Sequence, residues 1–308
     1  MSSRAANPVG AADGFVVLAV LWILATLAAL SSIYAVYVIN TATAFSGHEG
    51  RVRGEALVSA ALELTAYRMS GPLNSRPSQG RFSFRMGPAN VEVEFRSETA
   101  RIDLNAAPKQ LLAGLFAVLG ARPGDAEGYA DRVIGWRTKP AEDQDLEAAA
   151  YRAAGLRYVE RGANFPHVNE LSLVLGLPVA LIERALPFLT VYSGRPKVNV
   201  LDASSEVLAA LPGMSRDRLA AFLAERRVLP RNDQTLLTLL GSAQQFAMTE
   251  AGKALRVTVH STLDNGLRMR SEVVILMMEQ SDQPFFVLSW QDDVGQMDNL
   301  GTKLVGRS

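Results

Sequence analysis

The chain is predicted to be an α+β protein. Three observations carry that reading. An uncharged apolar run near the N-terminus passes into an amphipathic helix. Alternating strand patterns occur before the middle of the sequence and return near its end. Between them lies a long helical, loop-rich stretch.

The apolar run, Phe15 to Ile39 (FVVLAVLWILATLAALSSIYAVYVI), holds 25 residues without a charge. A membrane-spanning helix needs about 20, so the run is long enough to cross a bilayer. It exceeds the apolar core of a secretory signal, and its nearest small-residue cleavage candidate, Ala42-Thr43-Ala44, lies beyond a full span. Beyond Asn40, Leu57, Ala60, Ala61, Leu64 and Tyr67 recur at spacings of three and four, opposite Arg53, Glu55, Glu63 and Arg68. The helix is therefore expected to continue to about Met69, where Gly71-Pro72 stops it. Gly47, Gly50 and Gly54 weaken its middle, where a bend or partial melting is expected.

A β-hairpin follows, Arg81–Met86 and Val91–Phe95, turned by Gly87-Pro88-Ala89-Asn90. From Asn105 to about Leu189 the period becomes helical. Leu111, Leu112, Leu115, Phe116 and Leu119 mark one helix, and Ala130, Val133, Ile134 and Trp136 a second. Glu170–Val174 and Val179–Leu186 supply two more, with Pro178 at a helix start. Strands return at Leu255–Leu263, Leu267–Met277 and Phe285–Trp290, the first two joined by Asp264-Asn265-Gly266. Gln291–Ser308 is polar and aperiodic and reads as a disordered tail.

An internal repeat lies inside this plan. Ile102 to Leu112 (IDLNAAPKQLL) aligns with Val198 to Leu208 (VNVLDASSEVL), each a short strand, a polar cap and an apolar helix. Asn105 in the first copy, and Asp202 or Ser204 in the second, can accept from free helix N–H groups. The second copy runs on through Leu211-Pro212-Gly213-Met214 into a helix, Arg216–Arg227, and so resembles a helix-hairpin-helix unit. In DNA-binding versions, hairpin N–H groups hold a phosphate and basic residues follow. Here Ser215 replaces the second glycine and Asp217 adds a negative charge, while Arg216, Arg218, Arg226 and Arg227 keep the helix basic. A membrane-anchored protein binding DNA is therefore the alternative from another class.

Composition narrows the function. Lys plus Arg and Asp plus Glu both number 31, so no net field points to nucleic acid. The absence of cysteine rules out disulfides and thiolate metal sites. The three histidines, His48, His167 and His260, have no metal-ligand spacing, and the chain contains no GxSxG, P-loop or dinucleotide fingerprint. Nothing calls for catalysis, and no catalytic residue is assigned. Basic residues flank the apolar run at Arg4 on one side and at Arg51 and Arg53 on the other, so charge alone does not orient it.

Gly14 followed by Phe15, at the junction of a short polar leader and the apolar run, resembles a type IV prepilin processing site. The remaining features arrive in a specific order. They are Arg101-Ile102-Asp103-Leu104-Asn105-Ala106-Ala107, Trp136, Glu147, Tyr151, Tyr158, Ala163-Asn164, Glu170-Leu171 and Leu189-Thr190-Val191-Tyr192. Together they make the chain similar, to about Trp290, to the minor pseudopilin K family of type II secretion. The resemblance implies a pilin-like long helix packed on an antiparallel sheet, with a large inserted helical domain.

On that reading residues 1–14 are a prepilin leader, 15–39 the membrane helix, and 40–104 the pilin-like helix and first strands. Residues 105–195 form the inserted domain, 196–290 the helix-hairpin-helix-like segment and remaining strands, and 291–308 the tail. The family role it implies is at the tip of the pseudopilus, starting and capping the filament. Its partners would be minor pseudopilins I and J, the major pseudopilin filament, the prepilin peptidase and the inner membrane, with the globular region in the periplasm and no nucleic acid. Cleavage before Phe15 and methylation of the new N-terminus belong to the same implication. Ordinary pilin-like subunits carry Glu at the fifth mature position, which pairs with the amine of the neighbour ahead. Here that residue is Ala19, as expected of a subunit with no neighbour ahead.

Two surfaces follow as expectations. Val52, Leu57, Leu64 and Tyr67 offer apolar area on the helix for partner subunits. The family's Asp-Trp-x-Asp-x-Asp motif is replaced by Gly135-Trp136-Arg137-Thr138-Lys139-Pro140, but Asp143, Asp145 and Glu147 remain at alternate positions. They could hold calcium, or form a solvated acidic loop or helix start.

Overall fold

The structure is a computed structural model that describes residues 12–71, 76–139, 146–230, 234–264, 266–279 and 281–294. The leader up to residue 11, Asp143, Asp145 and residues 295–308 therefore lie outside the described residues. The chain divides into two units, Met1–Leu57 and Val58–Ser308.

The first unit is helical. Helix α1 runs from Ala12 to Arg68 without interruption, so the glycines expected to bend or melt its middle do not end it. Gly14 and Phe15 lie in its opening turns. Within it, Val16–Val38 is long and apolar enough to cross a membrane, and none of that stretch is buried. At 1.5 Å per residue its 23 residues extend about 35 Å, which fits a single-pass anchor.

The second unit begins with the last turns of α1. The stripe that buries here is Val58, Ala61, Leu62, Thr65, Ala66 and Met69. That is the spacing of one helix face, turned slightly from the face the sequence led us to expect. Small and β-branched residues on it allow close approach, and the buried Thr65 hydroxyl donates to the Ala61 carbonyl at 2.7 Å. The stripe has a natural counterpart in the apolar face of a five-stranded antiparallel sheet, and the Arg68 guanidinium lies 4.3 Å from the centre of the Phe82 ring on the first strand.

The sheet comprises β1 (Gln79–Met86), β2 (Ala89–Ser97), β7 (Ala254–Thr262), β8 (Arg268–Met277) and β9 (Phe285–Val294), in that spatial order. Val91, Val93 and Phe95 on β2 and Leu255, Val257 and Val259 on β7 alternate inward, the period expected of a half-buried sheet. The β1–β2 loop is tighter than expected. Met86 already pairs with Ala89, leaving two loop residues, and Gly87 takes a φ of +58° that suits a two-residue hairpin. Strand β9 continues to Val294, so Gln291–Val294 belongs to the sheet and not to a tail.

Everything between β2 and β7 is an insertion between two neighbouring strands. It holds α2 (Lys109–Val118), α3 (Pro123–Arg137), α4 (Leu146–Ala153), α5 (Val179–Ala185), α6 (Ser205–Ala209), α7 (Arg216–Val228) and α8 (Gln234–Thr238). The stretch expected as a helix at Glu170–Val174 is a 3-10 turn, Val168–Leu173. One continuous apolar core runs from Ile102 to Ala247, including Leu111, Leu115, Phe116, Val207, Leu208 and Phe222. The boundary placed between residues 195 and 196 therefore falls inside a single packed body, because both copies of the repeat contribute to the same core.

The repeat extends further than its aligned residues. Each copy opens on a two-residue strand that pairs in parallel with a two-residue strand at the far end of that copy. Strand β3 (Ile102–Asp103) pairs with β4 (Leu189–Thr190), and β5 (Val198–Asn199) with β6 (Ala247–Met248). The Leu104 N–H donates to the Thr190 carbonyl at 2.8 Å, and the Val200 N–H to the Met248 carbonyl at 3.0 Å.

Candidate functional site

The motif residues quoted above gather in the first copy of the repeat, where they hold the insertion together. Asp103 is buried, and its carboxylate accepts from the Asn105 and Ala106 N–H groups, the Ser193 hydroxyl and the Gly194 N–H, at 2.8 to 3.2 Å. Asn199 holds the equivalent place in the second copy, accepting from the Leu201 N–H at 3.0 Å and donating to Asp202 at 3.2 Å. Asn105 is not a helix cap. Its amide clamps Phe165, donating to the Phe165 carbonyl at 3.0 Å and accepting from the Phe165 N–H at 2.7 Å. Of the caps expected in the second copy, Ser204 is the one used, accepting from the Val207 N–H at 3.3 Å.

A guanidinium closes each copy in the same way. Arg137 donates to the Leu104 and Ala107 carbonyls, and Arg226 to the Val200 and Ala203 carbonyls. Burial lowers the Arg137 pKa from its ordinary value, which the Asp103 charge partly offsets. Trp136 packs against Tyr151, Tyr158 and Phe165, with ring centres 5.8 to 6.3 Å apart. The Trp136 indole N–H donates to Glu170 at 2.9 Å. Tyr151 accepts from the Leu175 N–H at 2.9 Å, and burial pushes its pKa up to about 12. Trp136, Tyr151, Phe165 and Glu170 thus form a packed scaffold within the insertion.

The junction between insertion and sheet is a buried ionic knot that the sequence did not disclose. Glu98, 1% exposed, sits in a single 3-10 turn just past β2. The Arg256 guanidinium on β7 grips it with two hydrogen bonds, at 2.8 and 3.1 Å, and also reaches Glu272 on β8. The Thr190 hydroxyl, at the end of the first repeat copy, donates to the same carboxylate. Burial works to lower the Arg256 pKa, but the hydrogen bonds and charges of Glu98 and Glu272 win, and it rises. Beside the knot, Ser97 accepts from the Gly252 N–H at 2.9 Å. A Cβ at Gly252 would stand 2.7 Å from a Thr99 methyl, so glycine permits this approach of the outgoing and returning chains.

The four helix residues expected to face partners divide. Val52 and Tyr67 are 52% and 77% exposed. Leu57 is 4% exposed, and Leu64 is half-buried, so neither offers the free apolar area anticipated. The buried stripe includes Thr65, next to Leu64, which draws Leu64 partly inward.

Of the expected calcium ligands only Glu147 is described. One of its oxygens accepts from Arg132 at 3.0 Å, and the other is buried without a hydrogen-bond partner. No group of three or more His, Cys, Asp or Glu side chains converges among the described residues. The second hairpin, Leu211-Pro212-Gly213-Met214, is engaged within the fold. A Cβ at Gly213 would lie 2.3 Å from the Ser242 hydroxyl, and Arg218 donates back to the Gly213 carbonyl. The first copy forms a counterpart hairpin between α2 and α3, with Gly120 at a φ of +98°.

A long apolar N-terminal helix leading into an antiparallel sheet, with a helical insertion between adjacent strands, defines the pilin-like α+β class. Within it, residues 93–194 match the family described as type II secretion system (T2SS), protein K. The resemblance read from the sequence thus holds over the stretch that carries most of its motifs. The fold is similar to a chain of the solved GspK-GspI-GspJ complex of the enterotoxigenic Escherichia coli type 2 secretion system. That similarity has a TM-score of 0.60 at 17% identity, covering 82% of this chain and 99% of the other. No curated protein matches the chain.

Proposed function

We propose that this protein is a minor pseudopilin of type II secretion, and that its work is assembly and not catalysis. The carrying observation is a protein K domain on the same chain as an exposed apolar helix of membrane-spanning length. On this reading a prepilin peptidase cuts between Gly14 and Phe15, and Val16–Val38 anchors the protein in the bacterial inner membrane with Val58 onward in the periplasm. Subunits equivalent to I and J join it in a tip complex, and the major pseudopilin follows behind. Ala19 in place of a pairing carboxylate supports the terminal position, where the protein starts the filament and its insertion closes the end. Val52 and Tyr67 remain the helix residues open to these partners.

Calcium at Asp143, Asp145 and Glu147 is a subsidiary part of the proposal. The unpartnered Glu147 oxygen supports it, while the Arg132 guanidinium on the other oxygen opposes it. Millimolar calcium should raise the melting temperature of the full chain if the ion binds, and an unchanged transition would remove it. DNA binding is not carried forward, since the hairpin that would hold a phosphate packs on Ser242.

The test is mass spectrometry of the protein from its own membrane. Phe15 should be the mature N-terminus. Retention of residues 1–14, or a start beyond the apolar run, would reject the pseudopilin reading.

A further inference from the structure

The face of the sheet opposite Val91, Val93 and Phe95 is charged, and register places its charges. Arg96 on β2 stands opposite Arg256 on β7, Glu94 and Glu272 flank Thr258, and His260 stands opposite Arg270. With Glu98 and Arg101, just past β2, these residues line a cleft of about 410 Å³. That lies within the about 300–1,000 Å³ usual for ligand clefts.

The carboxylates in the cleft are already taken. Both Glu98 oxygens accept from Arg256, and one accepts from Thr190 as well. Glu272 accepts from Arg256, and Glu94 from Arg81 at 3.0 Å. Arg101 is left over. Its Nε lies 4.0 Å from Glu98, beyond hydrogen-bond reach, although its side chain is only 26% exposed. Among the described residues no group accepts a hydrogen bond from this guanidinium. Burial lowers its pKa, the Arg256 charge adds to that, and Glu98 and Glu272 offset only part. Arginine keeps its proton in proteins, so a planar fork of N–H donors stands in a confined space without an acceptor.

We infer that the Arg101 cleft receives an Asp or Glu side chain from a partner subunit. The inference rests on the reading that the protein works by assembly. A guanidinium fork matches a carboxylate with two parallel hydrogen bonds, which a half-buried site strengthens. The mixed walls select the form in which that carboxylate arrives. A free phosphate reaching Arg101 would bring a second negative charge toward Glu94 and Glu272 and be repelled. A carboxylate carried on a peptide brings one charge, and its neighbouring backbone N–H groups can turn to those two acids.

The experiment uses the full chain in detergent with the full-length I and J equivalents of its own organism. Arg101→Met, which keeps the length of the side chain and removes its donors, should weaken the complex about 30-fold in Kd. The melting temperature of the free variant should equal or exceed that of the parent, since nothing in the free protein is hydrogen-bonded to the lost group. A complex as tight as the parent's overturns this inference and leaves the assembly reading standing. A fall of several degrees in the free variant would show that Arg101 serves the fold, and would also overturn it. If the parent forms no complex at all, both readings fall. Two other occupants have their own signatures. If millimolar inorganic phosphate stabilises the parent but not Arg101→Met, and the complex is unaffected, the cleft holds a small anion. If removal of residues 295–308 destabilises the parent but not Arg101→Met, the chain's own C-terminal segment fills it. Either result overturns the partner-carboxylate inference.

Discussion

At the scale of single residues, the polar groups that matter most are buried and fully engaged. Asp103 accepts four hydrogen bonds, and Glu98 gathers Arg256 and Thr190. Burying a charge is unfavourable unless its partners are kept, so removing one partner is worse than never having had the pair. Glu98→Ala should therefore destabilise the protein by about 3–5 kcal/mol, by leaving the Arg256 guanidinium buried beside Glu272 alone. Denaturant unfolding of the variant against the parent measures it, and Glu98→Gln should recover part of the loss. Sequence reading picked out Asp103, Asn105, Trp136 and Glu170 by their order along the chain. It could not assign their partners, because Asn105 meets Phe165 and Asp103 meets Ser193 only after the intervening helices have folded. Glu98 escaped notice because a Glu beside Arg96 and Arg101 reads as an ordinary exposed charge.

At the scale of elements, periodicity gave α1 its end and its amphipathic character but placed the buried stripe a little off. The sequence favoured Leu57, Ala60, Ala61, Leu64 and Tyr67; of these the structure buries Leu57 and Ala61, and it adds Val58, Leu62, Thr65 and Ala66. Close packing on a sheet rewards small side chains, which a hydrophobicity count undervalues. Leu62→Asp should then unfold or strongly destabilise the second unit, while Tyr67→Asp should leave its melting temperature within a degree or two of the parent. Circular dichroism of both variants decides it. If Tyr67→Asp also abolishes co-purification with partner subunits, the exposed side of the helix is part of the assembly surface. The strand–cap–helix repeat was legible from aligned residues alone. Its closure was not, since β4 and β6 are two-residue strands too short to leave a pattern.

For the molecule as a whole, α+β class and the existence of an insertion were readable from the order of strand and helical patterns. The extent of the insertion was not. Composition does not change at residue 195, and only the shared core from Ile102 to Ala247 shows that both repeat copies form one body. The end of the sheet was likewise misread, because Gln291-Asp292-Asp293-Val294 is polar although β8 pairs with it throughout. Edge strands need apolar residues on fewer positions than central ones.

The placement of that body has a kinetic consequence. Strands β2 and β7 are neighbours, with Ser97 opposite Leu255, yet the whole insertion lies between them in the chain. Pairing them directly from an unfolded chain means closing a very long loop, which is entropically slow. The insertion has a core of its own, and once formed it brings Ser97 and Gly252 within a hydrogen bond of each other. It then acts as a preformed turn for the sheet. Refolding followed by pulsed hydrogen exchange should show amides of α2, α3 and α7 protected before those of β2 and β7. Simultaneous protection of both sets would show that the sheet does not wait. By the same logic, a substitution that weakens the insertion's core, such as Phe116→Ala, should slow the pairing of strands it never touches.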